Sequence, residues 1–193
     1  MPIEAVLFDF DGTLVDTMPL HYEAYRRVFA RMGLTLSPEE FYGNIGGKAV
    51  ETIPKFLGGR ACPLSVEEIH QAKKRITTTM FETEPIPVLD TAYLLEVLLG
   101  RVSMALASSG SRSGIEIVLR RLSWEHYFEA VVTGEDALRG KPAPDLFLLA
   151  AERLVVAPSV CLVFEDTDDG VAAARAAGMA VVDVRKMAGS TSL

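Results

Sequence analysis

Five short apolar runs constrain the fold of this chain more than any other feature of its sequence. Most of them are unbroken by polar residues, which is typical of strands that are buried on both faces of a parallel sheet. Helical patterns lie between most of the runs, and strands that alternate with helices predict a parallel sheet with helices on both faces. We therefore predict an α/β fold with a doubly wound, Rossmann-like parallel sheet, whose strands occupy residues 5–8, 102–107, 130–132, 160–164 and 180–184. The helices predicted after the second strand cover residues 111–122, 145–155 and 171–177.

More than 90 residues separate the first apolar run from the second, and none of them forms a convincing strand. Apolar residues recur every four positions from Leu20 to Met32, which predicts one face of a helix. Capping boxes that begin at Ser37 and Ser65 predict the first turns of two more helices. We therefore predict a helical domain over residues 17–82, inserted into an α/β core domain that comprises residues 1–16 and 83–193.

The charge balance excludes two classes of partner. The chain of 193 residues has 19 lysines and arginines against 26 aspartates and glutamates, which gives a formal net charge of −7. Binding to nucleic acid or to an anionic membrane surface requires clustered basic residues. We therefore expect neither nucleic acid nor membrane among the partners, and the charge and the single insertion are compatible with a monomer.

Targeting signals and disulfide bonds are not expected either. The N-terminus has no basic stretch followed by a long apolar one, and no apolar stretch approaches the roughly 20 residues of a membrane-spanning helix. Cys62 and Cys161 lie 99 positions apart, and Cys161 lies within an apolar run, where a buried thiol is the commoner interpretation. We therefore expect a reduced protein of the cytoplasm.

Polar side chains collect where the apolar runs end. Asp9 and Asp11 follow the first run directly, and as positions i and i+2 of an extended segment they share a face. The ends of the second and fourth runs, and the loop before the helix at 145, add Ser108, Ser109, Lys141, Glu165 and Asp166. Because doubly wound sheets bind ligands at the carboxyl ends of their strands, we expect these side chains to surround one site.

The charges of these side chains predict what the site binds. Four carboxylates at adjacent strand ends would repel one another strongly in a partly desolvated cleft, so they require a cation. Oxygen ligands without histidine or cysteine favour a hard divalent ion, and Mg²⁺ typically combines one or two carboxylates with a substrate phosphate. Hydroxyl and backbone N–H groups at residues 108–110, together with Lys141, supply donors that hold an anion. The sequence therefore predicts a phosphate site that faces a magnesium site.

Four segments carry a resemblance to a known family. They are Phe8–Thr17 (FDFDGTLVDT), Ser108, Gly140–Asp145 (GKPAPD), and Phe164–Thr167 (FEDT) with the glycines and alanines that follow it. Their order and spacing resemble the four motifs of the haloacid dehalogenase-like phosphotransferases across nearly the whole chain. Within that family the chain is most similar to the β-phosphoglucomutase-like branch, especially to its sugar-phosphate phosphatases of the fructose-1-phosphate type. The helical insertion resembles the cap domain of that family.

The resemblance implies an activity. Asp9 would be the nucleophile that forms an aspartyl-phosphate, and Asp11 would act as general acid and then as general base. Together these roles imply a Mg²⁺-dependent phosphomonoesterase that hydrolyses a small phosphorylated metabolite, in particular a sugar phosphate.

The resemblance also implies which residues bind the phosphate, the metal and the rest of the substrate. Ser108, Ser109 and Lys141 would hold the phosphate oxygens. The metal ligands would be the side chains of Asp9, Glu165 and Asp166 and the backbone carbonyl of Asp11. His21 and Lys48 match cap positions that lie close to the substrate.

Two other functions are compatible with these residues. A β-phosphoglucomutase shares them, but mutases of the family hold a second phosphate with an arginine in the cap loop. No arginine occurs between residues 41 and 55, which favours hydrolysis. A receiver domain, a phospho-accepting signalling module, also arranges acids, a hydroxyl residue and a lysine around Mg²⁺. A receiver has no use for so long a helical insertion, whereas a lid that excludes water is expected of an enzyme.

Overall fold

A five-stranded parallel sheet forms the centre of the computed structural model, which describes residues 2–44 and 49–187. The strands are β1 (Ala5–Phe8), β2 (Ser103–Ala107), β3 (Ala130–Val132), β4 (Cys161–Glu165) and β5 (Ala180–Asp183). Their order is β3-β2-β1-β4-β5, and every neighbouring pair is parallel. Each strand agrees with its predicted run to within one residue at either end, so the predicted sheet is confirmed.

Strand β1 occupies the centre of this sheet. From β1 the chain adds β2 and β3 on one side and then returns to add β4 and β5 on the other. The connections therefore diverge at the carboxyl end of β1, and such a point is where doubly wound sheets bind ligands. All residues of β1 are buried, which explains why its sequence is an unbroken apolar run.

Helices connect the strands in the order that the sequence predicts. In the described part of the chain, α1–α4 lie between β1 and β2, α5 precedes β2, and α6, α7 and α8 follow β2, β3 and β4. Their bounds are α1 (Met18–Arg31), α2 (Pro38–Tyr42), α3 (Ala49–Leu57), α4 (Val66–Thr83), α5 (Tyr93–Leu98), α6 (Arg112–Leu122), α7 (Asp145–Arg153) and α8 (Asp168–Ala176). None of the helices in residues 2–44 and 49–187 is both long enough and apolar enough to cross a membrane.

The two faces of the sheet carry separate apolar cores. Leu7 and Phe8 of β1 point to opposite faces, because successive side chains of a strand alternate. Leu7 belongs to the core that includes Leu146 of α7, and Phe8 belongs to the core that includes Val118 of α6. Helices therefore cover both faces, and the doubly wound architecture is confirmed.

Helices α1–α4 share a third apolar core. Its buried members include Phe29 of α1, Phe41 of α2, Phe56 of α3 and Ile69 of α4. A core of its own is what an independent helical unit requires. The division of the chain into a cap over residues 17–82 and a core domain stays a prediction.

Side-chain caps determine where several helices begin. Ser37 and Ser65 each accept a hydrogen bond from the backbone N–H three residues on, and a glutamate at that position accepts one in return, so both predicted capping boxes are present. Thr167 caps α8, and its hydroxyl accepts a hydrogen bond of 3.0 Å from the N–H of Gly170. Helix α8 therefore begins three residues before its predicted start at 171, because the prediction followed only the alanine-rich segment.

Candidate active site

A cleft of about 550 Å³ lies at the carboxyl ends of β1, β2 and β4. Helices α1 and α4 line the side of the cleft that is opposite the sheet. The predicted site residues that border the cleft are Asp9, Asp11, His21, Ser108, Ser109, Lys141, Glu165 and Asp166. Lys48, the remaining predicted residue, lies outside the described part of the chain.

Lys141 forms a buried ion pair with two carboxylates at once. Its Nζ lies 2.5 Å from Oδ1 of Asp9 and 2.6 Å from Oε2 of Glu165. The ammonium group also lies over the ring of Phe147, 4.9 Å from the ring centroid. Burial alone would lower the pKa of Lys141, but Asp9 and Glu165 raise it above its usual range. Lys141 is therefore a cation in this site.

Asp9, Glu165 and Asp166 form a compact cluster of acids. One carboxylate oxygen from each lies within 4.8 Å of the others. Burial and then repulsion by Glu165 raise the pKa of Asp9 well above its usual value, against the lowering effect of Lys141. The same two causes raise the pKa of Asp166 to about 6. The cluster carries more negative charge than Lys141 offsets, and its donors are hard oxygen atoms, so the arrangement fits a divalent cation.

The carboxylate of Glu165 is held through both of its oxygens. Oε1 accepts hydrogen bonds from the backbone N–H groups of Asp166 and Thr167, at 3.0 and 2.9 Å, and from the hydroxyl of Thr167 at 2.8 Å. Oε2 accepts a hydrogen bond from Lys141. Burial would raise the pKa of Glu165, but Lys141 and Thr167 outweigh burial and lower it. A Cβ atom at position 170 would lie 1.9 Å from the carboxyl carbon of Glu165, so the close approach requires Gly170.

Asp11 contacts the helical insertion. Its Oδ1 accepts a hydrogen bond from the hydroxyl of Thr17 and lies 3.4 Å from Nε2 of His21. The other ring nitrogen of His21, Nδ1, lies 2.6 Å from Nζ of Lys73 on α4. A neutral His21 with its proton on Nε2 satisfies both contacts, because it then donates to Asp11 and accepts from Lys73.

Burial and these contacts shift the pKa values along this chain of side chains. Burial lowers the pKa of Lys73 to about 8, and burial together with Lys73 lowers the pKa of His21. Burial would raise the pKa of Asp11, but His21 and Thr17 outweigh burial and lower it. Asp11 is therefore ionised in this arrangement and lies beside an imidazole that is neutral near pH 7.

Ser108 and Ser109 lie between the end of β2 and the first turn of α6. The buried hydroxyl of Ser108 accepts a hydrogen bond of 3.0 Å from the N–H of Gly110 and lies 3.5 Å from Oδ2 of Asp11. Ser109 is exposed and borders the same cleft. Hydroxyl and N–H groups just before a helix are suited to an anion.

The polar residues of the site that were not assigned a role from the sequence include Thr13, Thr17 and Lys73. Thr13 donates a hydrogen bond of 3.1 Å to Asp166, and Thr17 donates one to Asp11. Both threonines lie in the same short segment as Asp9 and Asp11, so their proximity to those acids was a usable signal. Lys73 is one of several charged residues on α4, and no local pattern distinguishes it from them.

The order of these residues along the chain matches a known family. The family model described as haloacid dehalogenase-like hydrolase matches residues 6–184. The chain belongs to that family. The matched segment contains every residue that contributes to the acid cluster, to the Lys141 ion pairs and to the contacts of Asp11.

Curated relatives and a solved structure agree with this assignment. The chain is 36% identical to the fructose-1-phosphate phosphatase YqaB of Escherichia coli over 182 residues, which cover 93% of this chain and 95% of that protein. It is also 36% identical to a phosphorylated carbohydrates phosphatase of Thermotoga maritima over 182 residues, which cover 92% of this chain and 82% of that protein. The crystal structure of CbbY from Rhodobacter sphaeroides in complex with phosphate has a TM-score of 0.84 at 29% identity, covering 93% of this chain and 84% of that chain. These similarities identify this haloacid dehalogenase-like hydrolase as a phosphatase.

Proposed function

We propose that this chain is a Mg²⁺-dependent phosphomonoesterase that hydrolyses a small sugar phosphate through an aspartyl-phosphate on Asp9. The observation that carries the proposal is the position of Asp9. Its carboxylate is buried at the end of β1, lies 2.5 Å from the ammonium group of Lys141, and belongs to the acid cluster with Glu165 and Asp166. A neighbouring cation and a metal-binding cluster are the groups that allow an anionic nucleophile to approach a phosphate dianion.

Asp9 and Asp11 share the first step. A carboxylate oxygen of Asp9 attacks phosphorus, the bond between phosphorus and the sugar oxygen breaks, and Asp11 gives a proton to the leaving oxygen. Although Asp11 is ionised in the arrangement described above, the negative charge of a phosphate bound beside it raises its pKa. When the substrate binds, Asp11 therefore takes up a proton, which it then transfers to the leaving oxygen.

Asp11 acts as the base in the second step. It takes a proton from a water molecule, whose oxygen attacks the phosphorus of the aspartyl-phosphate. The bond between phosphorus and Asp9 breaks, inorganic phosphate leaves and Asp9 is restored. Thr17 and His21 contact Asp11 and keep it oriented for both transfers.

Lys141 and the segment from Ser108 to Gly110 hold the phosphoryl group. Lys141 already lies against Asp9, so its ammonium group is in reach of a phosphoryl group on that residue. Ser108 and Ser109 supply hydroxyl and N–H donors at the start of α6. These groups stabilise the charge on the phosphoryl oxygens in the transition state.

The side chains of Asp9, Glu165 and Asp166 and the backbone carbonyl of Asp11 would hold Mg²⁺. When bound, this ion offsets the carboxylate charge and polarises the phosphate. Both oxygens of Glu165 accept hydrogen bonds from Lys141 or from the segment at Thr167, whereas Asp166 accepts one from Thr13. We therefore expect the carboxylate of Asp166 to be more available to the ion than the carboxylate of Glu165.

Helices α1–α4 are proposed to form a cap domain over residues 17–82, with the core domain in residues 1–16 and 83–193. Two observations support this division: the helices have an apolar core of their own, and His21 and Lys73 reach Asp11 from them. A cap in this position excludes water from the reacting phosphate.

The names of the relatives support a sugar phosphate as the substrate, since they specify fructose 1-phosphate and phosphorylated carbohydrates. A mutase would have to hold a second phosphate, and the absence of arginine between residues 41 and 55 favours hydrolysis instead. Membership of a hydrolase family argues against a receiver-like signalling module.

The cytoplasmic location and the monomeric state stay predictions.

Release of inorganic phosphate from a panel of phosphosugars tests the proposal. The panel contains fructose 1-phosphate, glucose 6-phosphate, β-glucose 1-phosphate and a hexitol phosphate, each with saturating Mg²⁺ or with excess EDTA. We expect release that requires Mg²⁺ and is lost in the Asp9→Asn variant. Turnover that persists in EDTA or in Asp9→Asn would contradict the proposal. Conversion of β-glucose 1-phosphate to glucose 6-phosphate faster than phosphate release would show a mutase.

A further inference from the structure

His70 on α4 has a ring nitrogen without a partner. Its Nδ1 is the sole buried side-chain nitrogen or oxygen that lacks a hydrogen bond among residues 2–44 and 49–187. The side chain also borders the cleft that contains Asp9. Buried polar groups in folded proteins are nearly always paired, so this nitrogen requires an explanation.

The neighbouring polar side chains on this face of α4 already have partners. Residues three or four positions apart on a helix share a face, so Lys73 and Lys74 lie on the same side of α4 as His70. Lys73 contacts His21 at 2.6 Å, and Lys74 forms a 2.8 Å ion pair with Glu135. His70 differs from both because its Nδ1 contacts no polar group of the described protein.

His21 shows the contrast within the same cleft. Its two ring nitrogens contact Asp11 and Lys73, so these contacts determine which nitrogen carries the proton. Nothing in the described protein determines the same for His70. Its imidazole is therefore able to offer either a donor or an acceptor to a ligand.

The end of α4 that contains Phe81 packs in the apolar core at the sheet, whereas His70 lies toward the other end of the helix, next to Ile69 of the third apolar core. His21, which contacts Asp11, packs between Lys73 and Phe81 of α4, and its ring lies 5.5 Å from the ring of Phe81. His70 lies three residues, roughly 4.5 Å along the helix axis, beyond Lys73 and away from Phe81. The part of a substrate that is remote from the phosphate would therefore lie near His70.

The charges near His70 favour an uncharged group in that part of the cleft. Burial and Lys73 lower the pKa of His70, so its imidazole is neutral near pH 7. A second phosphate would need an unpaired cation. Among the described residues, four lysine or arginine side chains line the cleft, and each of them already contacts a carboxylate or an imidazole: Lys73, Lys74, Lys141 and Arg185.

We propose that His70 forms a hydrogen bond with a hydroxyl group on the leaving group of the substrate, and thereby favours sugar and polyol phosphates over esters without hydroxyl groups. The inference rests on the proposed phosphatase function and adds a specificity-determining residue to it. Rotation of the imidazole about its Cβ–Cγ bond brings Nδ1 toward the ligand. That torsion is soft, and Nδ1 has no existing hydrogen bond to lose.

Substrate selectivity of two His70 variants tests this inference. His70→Phe keeps a ring without nitrogen, and His70→Asn keeps a hydrogen-bonding group near the position of Nδ1. For wild type and both variants, kcat/KM is measured at the same Mg²⁺ concentration with fructose 1-phosphate and with p-nitrophenyl phosphate, whose leaving group has no sugar hydroxyls. We expect the ratio of the two kcat/KM values to fall about tenfold in His70→Phe, as for the loss of one hydrogen bond, and to recover at least in part in His70→Asn.

Binding supplies a second measurement that does not depend on turnover. Calorimetric titration of Asp9→Asn with fructose 1-phosphate is compared with titration of the double variant Asp9→Asn, His70→Phe. We expect the double variant to bind about tenfold more weakly. Equal affinities, or a selectivity ratio that His70→Phe leaves unchanged while both kcat/KM values fall together, would overturn the inference, because the latter pattern is that of a packing residue.

The outcomes also separate this inference from the function on which it rests. A wild type that releases phosphate in a Mg²⁺-dependent manner, with an unchanged ratio in His70→Phe, overturns the role of His70 alone. A wild type that hydrolyses p-nitrophenyl phosphate but no sugar phosphate overturns the role of His70 and the proposed substrate class, but not the phosphomonoesterase activity. A wild type that hydrolyses neither ester overturns the proposed function and the role of His70 together.

Discussion

Nε2 of His21 lies 3.4 Å from Oδ1 of Asp11, so a side chain of helix α1 contacts the acid that we propose to transfer both protons. Lys73 of α4 in turn contacts Nδ1 of His21 at 2.6 Å. Asp11 precedes the helical insertion in the sequence, whereas both contacts come from within the insertion. The position of the insertion therefore affects how Asp11 is held, and proton transfer depends on it.

Replacement of His21 by alanine is expected to slow proton transfer selectively. Without the imidazole, Asp11 keeps its contact with Thr17 but loses the donor at Nε2, so its orientation is less well defined. We expect kcat/KM for fructose 1-phosphate, which reports formation of the aspartyl-phosphate, to fall about tenfold or more, and kcat/KM for p-nitrophenyl phosphate to fall less, because that leaving group needs little protonation. Steady-state kinetics with both esters measure this. His126→Ala is the matched control, because His126 is an exposed histidine between α6 and β3. Equal losses of kcat/KM for the two esters in His21→Ala would contradict the positioning role.

Gly12 and Gly178 form a matched pair for a test of the acid cluster. Both have positive φ, +91° and +75°, so alanine is strained at either position. A Cβ atom at position 12 would lie 2.2 Å from Oδ2 of Asp166, whereas the space around position 178 is open. We expect each alanine variant to lose about 1 kcal/mol or more of unfolding free energy. Only Gly12→Ala should also lose activity, by about 100-fold, because it displaces Asp166.

Urea denaturation and phosphate release measure the two effects separately. Equal activity of Gly12→Ala and Gly178→Ala, at similar stability, would show that the position of Asp166 does not matter for turnover.

Asp136 is expected to make stability depend on pH. Its carboxylate accepts hydrogen bonds of 2.7 Å from the N–H and the hydroxyl of Thr133, and it pairs with Arg112 of α6 and Arg153 of α7 at 2.5 and 2.9 Å. Burial would raise the pKa of Asp136, but Thr133 and the two arginines outweigh burial and lower it. A folded-state pKa below the unfolded value, about 3.9, means that the contribution to stability is present above that pH and is lost as the pH falls.

We therefore expect Asp136→Asn to lower the unfolding free energy at pH 7 by about 2 kcal/mol, and the difference from wild type to shrink near pH 3. Urea denaturation at the two pH values measures it. Glu152→Gln, an exposed position on α7, is the control and should change stability by less than about 0.5 kcal/mol. A difference for Asp136→Asn that is the same at both pH values would contradict the electrostatic account.

The sheet was predictable because its signal is local. A strand such as Ala5–Phe8 is buried on both faces, and this burial requires an unbroken apolar run that is visible in four residues. The caps at Ser37 and Ser65 are likewise local patterns. The start of α8 was placed three residues late because the prediction followed only the alanine-rich segment and did not use the cap at Thr167.

The part of the site that lies at the strand ends was predictable for the same reason. Asp9 immediately follows the buried strand β1, and Glu165 is the last residue of β4. Parallel strands bring these ends to one edge of the sheet. The contact between Lys73 and His21 was not predictable, because it joins residues 52 positions apart through the packing of α4 against α1. The unpaired nitrogen of His70 is also a property of packing, which a single sequence does not reveal.

Trapping of the phosphorylated enzyme tests the central claim, that Asp9 is the nucleophile, most directly. The Asp11→Asn variant is incubated with Mg²⁺ and acetyl phosphate, whose leaving group needs no proton, and is then quenched in acid and analysed by peptide mass spectrometry. Phosphorylation should proceed, but hydrolysis should be slow without the base, so we expect one phosphoryl group to accumulate on the peptide that contains Asp9. The variant Asp9→Asn, Asp11→Asn should carry none. A phosphoryl group on another residue, or an unmodified Asp9 in a protein whose wild type turns acetyl phosphate over, would contradict the account.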